Sequence, residues 1–249
     1  MSHFTTTVAL PGDTAFDDIE TALEAALAPF DENTIVPRYV CATKAELIAE
    51  ERKRIEKFRD GTYAKYLADP EKYIAECQNS AHVRYITGAD EDGGFPAKLN
   101  WTDEQVYASA VKWEEPENIG PHGEVYSTYN PKSQWDWWTI GGRWGGMWQL
   151  KEHDAALVTQ TRPSAFGMAE KSLQPYRADV ARIEQIVPES MTPTFALVDL
   201  GGEWHESAKM GWFGMSSDKK DPDEWNVAYA NAITAMPRDT WLVNVDCHI

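Results

Sequence analysis

A chain of 249 residues with 40 acidic and 23 basic side chains, for a formal charge of −17, is long enough for one large core and ill suited to holding bare nucleic acid unaided. Its 43% hydrophobic and 12% aromatic content excludes wholesale disorder, and Cys41, Cys77 and Cys247 lack the CxxC spacing of a zinc knuckle or the pairing of a disulfide framework. No apolar run approaches membrane-spanning length and no charged-then-apolar leader opens the chain, so no membrane association and a cytoplasmic location are expected.

In chain order, "HFTTTVAL" (3–10) is β-branched and stops at Pro11-Gly12, which predicts a strand. A helix is expected from about Phe16 to Leu27, with Ile19, Leu23, Ala26 and Leu27 on one face. "TIVPRYVC" (34–41) reads as a second strand, pushed toward an edge by Pro37. Thr43 and Glu46 then form a capping box before a helix whose Leu47, Ile48, Ile55 and Phe58 fall in one stripe, ended by Gly61. Shorter helical pieces follow, and "TDEQVYASAVKW" (102–113) is another capped helix, so residues 43–113 read as a helical insertion. "RADVARIEQIV" (177–187) reads as a helix. "TFALVDL", Gly201-Gly202 and "EWHES" form a hairpin, "DPDEWNVAYANAITAM" a helix with Trp225, Ala228, Tyr229, Ala232 and Met236 on one face, and "TWLVNVDCHI" a last strand. The whole is expected to be a single α+β domain, 1–249, built on an antiparallel ferredoxin-like sheet with helices on one face.

"QWDWWTIGGRWGG" (134–146) is the segment that asks for an explanation: four tryptophans, one aspartate, one arginine and four glycines in thirteen positions. On a strand Trp135 and Trp137 share one face, and Asp136 and Trp138 the other, while the glycines permit sharp turns or close backbone approach. One reading is a platform on which Trp138 or Trp144 stacks a ligand or partner side chain, with Arg143 as forked donor. The other is a bent strand filling the core, with Arg143 paired to Asp136. The segment is neither a P-loop nor a dinucleotide fingerprint. "KMGWFGM" (209–215) places Trp212 and Phe213 on a second aromatic loop.

Asp246 and His248 lie two apart on the last strand, and antiparallel pairing of the first and last strands brings His3 close, with His205 a further candidate. That set suits a divalent metal or acid–base work; solvated polar residues at a chain end are the alternative. The acidic stretch 216–225 lacks the ligand ladder of a calcium loop and reads as helix N-terminal charge. No GxSxG elbow or other local signature of a nucleophile is present, so no catalytic residue, metal or cofactor is assigned.

"YNPKSQWDWWTIGGRWGG", "KMGWFGM", the terminal "VDCHI" and "APFDEN" (28–33) resemble a family encoded mainly by bacteriophages of actinobacteria, over most of the chain. In size and acidity the chain also resembles the larger recombination directionality factors, which partner the large serine integrases of Streptomyces phages. The resemblance implies a protein that binds a DNA-bound integrase in the host cytoplasm without catalysis of its own. It would redirect the integrase's coiled-coil subdomains so that attL × attR synapsis is favoured over attP × attB. The contact residues do not come with the resemblance. Trp138, Arg143, Trp144, Trp212 and Phe213 are expected to bind the partner because aromatic and arginine side chains anchor interfaces. Two other classes stay open: an acidic DNA mimic that inhibits a host defence or nucleic-acid enzyme, and a metal-dependent enzyme using His3, Asp246 and His248.

Overall fold

The computed structural model describes residues 2–154, 156, 157, 176–210 and 216–249. The protein is a mixed α+β structure, and the chain forms two compact units, one from Met1–Val36 with Tyr129–Ile249 and one from Pro37–Thr128.

Strand β1 (His3–Leu10) coincides with the β-branched run. A 3-10 turn at Phe16–Asp18 leads into α1 (Ile19–Leu27), whose Ile19, Leu23 and Leu27 recur every four residues and are buried. Strand β2 (Tyr39–Ala42) starts only after Pro37, whose nitrogen has no hydrogen to give a ladder. It pairs antiparallel with β3 (Val125–Ser127), inside the second unit, so the expected strand 34–41 is corrected both in its bounds and in its sheet.

Between β2 and β3 lie α2 (Lys44–Phe58), α3 (Ala64–Ala68), α4 (Pro70–Glu76), α5 (Ser80–Thr87), α6 (Gly94–Lys98) and α7 (Asp103–Ala110). Thr43 and Thr102 cap α2 and α7 in reciprocal boxes with Glu46 and Gln105, satisfying amides that a helix start leaves open. Gly61 does not end its helix; a π-turn over Arg59–Tyr63 carries the chain on into α3. Few side chains of this unit are fully buried: Ile86, Phe95, Val106 and Val125. Phe95 is buried, with the rings of Phe58, Tyr63 and Tyr85 at 4.5, 4.9 and 6.0 Å from it.

The first unit continues with β4 (Trp137–Ile140), β5 (Trp148–Gln149), β6 (Arg177–Ala178), β7 (Val180–Arg182), β8 (Ala196–Val198) and β9 (Trp204–Glu206). Then come β10 (Lys209–Met210), β11 (Ser216–Ser217), α8 (Pro222–Ala235) and β12 (Trp241–His248). Its main sheet runs β4-β12-β1-β8-β9, with β7 on the same side of β12 as β4. β1 and β12 pair antiparallel along their full length, His3 opposite His248 and Thr5 opposite Asp246. β1 and β8 pair parallel, so the wholly antiparallel, ferredoxin-like sheet expected from the sequence is replaced by a mixed one. The long excursion between these two strands supplies the crossover that parallel neighbours require.

All eight residues of β12 are buried, so both faces of the sheet are covered. From α8, Tyr229 shares a 2.8 Å hydrogen bond with Thr7. On the opposite face, Phe16 and Phe30, which bracket α1, meet Trp241 and Trp204. The expectation of helices on one face only is corrected accordingly. On α8 the buried residues are Trp225, Tyr229 and Ile233. The expected helix at 177–187 is instead β6, β7 and a 3-10 turn at Ile183–Gln185. Val180–Arg182 complete the flank of β12 below β4, and that pairing overrides the local helical pattern.

Candidate functional site

Sequence-distant motifs converge at the β4–β12–β1 end of the sheet. Trp137 stands opposite His248 and Trp138 opposite Cys247. Trp138 therefore turns toward the core and is partly buried there, while Trp137 is 44% exposed, its indole stacked on the His248 imidazole at 5.3 Å and 15°. Trp135 precedes the strand and is buried, donating its indole N–H to the Leu27 carbonyl at 3.1 Å, so it does not share a face with Trp137 as expected. "APFDEN" lies alongside. Gln134 N–H donates to the Phe30 carbonyl at 2.7 Å, Glu32 N–H to the Trp135 carbonyl at 2.8 Å, and the Asn33 amide to the Asp136 carbonyl at 3.1 Å.

The glycines after β4 bring the main chain against two buried carboxylates. Asp179, 3% exposed, accepts hydrogen bonds from Gly146 N–H at 2.8 Å, Met147 N–H at 3.2 Å and the Asn244 amide at 2.7 Å. Asp246 accepts one from Arg143 N–H at 3.0 Å. A Cβ on Gly141 would lie 2.5 Å from the Asp179 carboxylate, and one on Gly142 2.4 Å from Asp246; both residues also take positive φ, +69° and +50°. These contacts offset the cost of burying the carboxylates and leave the loop little freedom. Trp144 and Gly145 N–H are also used inside the loop, on the Gly141 and Gly142 carbonyls. Arg143 is consequently exposed and Trp144 half-buried. Among the described residues no carboxylate lies within ion-pair distance of the Arg143 guanidinium. The Asp136 partner considered from the sequence is bonded to His248 instead.

Two histidine–aspartate pairs sit beside the loop. His3 Nδ1 is 2.9 Å from Asp246, and His248 Nδ1 is 2.5 Å from Asp136. The rings lie 5.0 Å apart, and the edge of His3 also meets Trp137 at 5.3 Å. The proximity of His3, Asp246 and His248 expected from strand pairing is thus present, whereas His205 bonds to Asp199 across the β8–β9 turn at 2.8 Å. Both cluster imidazoles are only 8% exposed in their side chains, and His248 Nε2 is buried without a hydrogen-bond partner. Among the described residues no group of three or more histidine, cysteine or carboxylate side chains is arranged to hold a metal ion. Held in this way, the pairs tie β1, β12 and the start of β4 together. Burial pushes the Cys247 thiol up to about 12, and the fully buried side chain packs as an apolar group.

Of the residues expected to bind a partner, Arg143 and Trp144 are at the surface, Trp138 faces the core, and Trp212 and Phe213 lie outside the described residues. The sequence reading missed Trp137, and it missed Asp179, which stood in a stretch with helical spacing. In β4 a pairing register was needed to tell which of two adjacent tryptophans faces out. No described helix is long and apolar enough to cross a membrane. Comparison with protein-family models, curated proteins and solved structures finds no match.

Proposed function

We propose that this chain works by gripping another protein through Trp137, Arg143 and Trp144. The partner proposed is a large serine integrase on its DNA in the host cytoplasm, which the chain switches from integration to excision. The observation that carries the binding reading is an exposed arginine with no described ion-pair partner, next in sequence to the half-buried Trp144, on a loop fastened to Asp179 and Asp246. Exposed arginine and tryptophan on a rigid base are what interface anchors require, because little freedom is left to lose on binding. The identity of the partner rests on the family resemblance. The −17 charge supports it, since an acidic protein can approach a basic, DNA-bound enzyme without competing for phosphate.

The test is recombination in vitro with the integrase encoded by the same genome. The expected result is attL × attR recombination in the presence of the protein and inhibition of attP × attB, both weakened by Arg143→Ala and Trp144→Ala at unchanged melting temperature. If the protein produces neither effect on the two reactions, the integrase reading is wrong.

A further inference from the structure

We infer that Arg143 determines specificity at this surface and that its ligand is a carboxylate side chain of the partner protein, held by the guanidinium and flanked by Trp144. The inference rests on reading this surface as partner-binding and adds the chemistry of what it accepts. The backbone N–H groups of Arg143, Trp144, Gly145, Gly146 and Met147 all point inward, to Asp246, the Gly141 and Gly142 carbonyls, and Asp179. Outward hydrogen-bond donation by these five residues therefore falls to side chains. A guanidinium has five donors in a planar fork and no acceptor, so it selects a planar or tetrahedral oxyanion, which means carboxylate or phosphate.

The surrounding charge decides between the two. The unit that carries Arg143 holds 23 acidic and 11 basic residues. Nucleic-acid affinity needs several cations acting together along a phosphate chain, and a single arginine in an acidic field cannot supply it. One carboxylate on an otherwise basic partner meets no such barrier. Trp137 is linked to the base of the loop through His3: its ring meets His3, and His3 bonds the same Asp246 carboxylate that receives Arg143 N–H.

The experiment follows the Arg143 Nε–H signal of the full chain by NMR, identified by its loss in Arg143→Lys, during titration with N-acetylglutamate and separately with inorganic phosphate. The expected result is a saturating shift with N-acetylglutamate that exceeds that of every other arginine, and a smaller one with phosphate. Asp179→Asn, which removes one of the acceptors under the loop, should shrink the shift; should that variant fail to fold, Trp144→Ala serves the same purpose. An Arg143 response no larger than that of other arginines, or a phosphate response equal to the carboxylate response, overturns the inference.

A second arm measures affinity for the DNA-free integrase. Arg143→Gln should weaken it tenfold or more, and Arg143→Lys should fail to rescue it, because a point charge lacks the fork. Unchanged affinity in both variants defeats the inference and removes Arg143 from the gripping residues, while leaving the integrase as partner standing. A loss seen only with DNA-bound integrase assigns the contact to phosphate and also defeats it. If the wild-type protein does not bind integrase at all, the proposed function fails and the NMR titration still decides the ligand chemistry.

Discussion

In the sheet unit, buried polar side chains find partners far along the chain: Asp179 bonds Gly146 and Asn244, Tyr229 meets Thr7, and the Trp225 indole donates to the Thr194 carbonyl. In the helical unit many side-chain bonds are local, between Thr43 and Glu46, Thr102 and Gln105, and from the Ala81 and His82 amides to Asn79. The long-range ones there, such as Ser109 to Glu51 and Arg52 to the Trp101 carbonyl, are exposed or only partly buried. α2 has no fully buried residue, whereas β12 has nothing else. Local bonds at an exposed helix end can be replaced by water when they break; a long-range bond in a dry core strands its partner. The sheet unit should therefore tolerate substitution poorly at sites that look unremarkable in sequence, and the helical unit should bend to the same changes.

Leu23→Ala is the largest test of that contrast. The side chain is fully buried in the sheet unit, and its truncation should cost about 2–5 kcal/mol in urea unfolding. Leu47→Ala, at a half-buried position of α2, should cost well under half as much.

Glycine substitution sharpens the comparison. Gly142→Ala combines positive φ with a Cβ driven into Asp246 and should cost roughly 2–3 kcal/mol. Gly61→Ala has open space around it and a helical setting, so it should stabilise by about 0.5–1 kcal/mol. Equal losses at the two glycines would break the distinction between the units.

A smaller effect is expected at a cap. Thr43→Ala should cost about 1 kcal/mol and speed amide exchange in the first turn of α2, with little change in the exchange of β1 and β12.

The smallest effect concerns pH. Burial alone would raise the Asp199 carboxyl, but bonds from His205 and from the Glu203 and Gly201 amides outweigh it and hold the pKa below the ordinary value. A carboxylate depressed in the folded state contributes stability above its unfolded pKa, near about 4, and loses it as pH falls through the folded value. The stability gap between wild type and Asp199→Asn should thus be constant at neutral pH and close below about pH 4. A gap that persists unchanged well below about pH 4 would contradict the assignment.

How much of this was legible beforehand depended on the range over which each residue acts. β1, β12 and the β8–β9 hairpin follow from β-branched runs and glycine turns, and both capping boxes from residue types three apart. The meeting of His3 with Asp246 and His248 needed only the two-residue repeat of a strand and the pairing of the chain's two ends. The site proper needed more. Gly141 and Gly142 signalled that backbone must come close to something, yet the carboxylates they approach lie 38 and 104 residues further on, one in a segment whose spacing mimics a helix. Exposure of Trp137 rather than Trp138 hung on a one-residue register, which sends every side chain of a strand to the other face.

By itself the sequence determined what acts over a few residues: the acidic charge, most helix starts, the strands with strong alternation, and the glycines that tolerate positive φ. Tertiary structure decided the parallel β1–β8 pair, the strand at Val180–Arg182, the two carboxylates under the tryptophan-glycine loop, and which indole meets solvent. The reason is physical. Local propensities are worth tenths of a kcal/mol per residue, about 0–0.7 for ordinary residues, and a buried ladder or a buried carboxylate without its donors outweighs them.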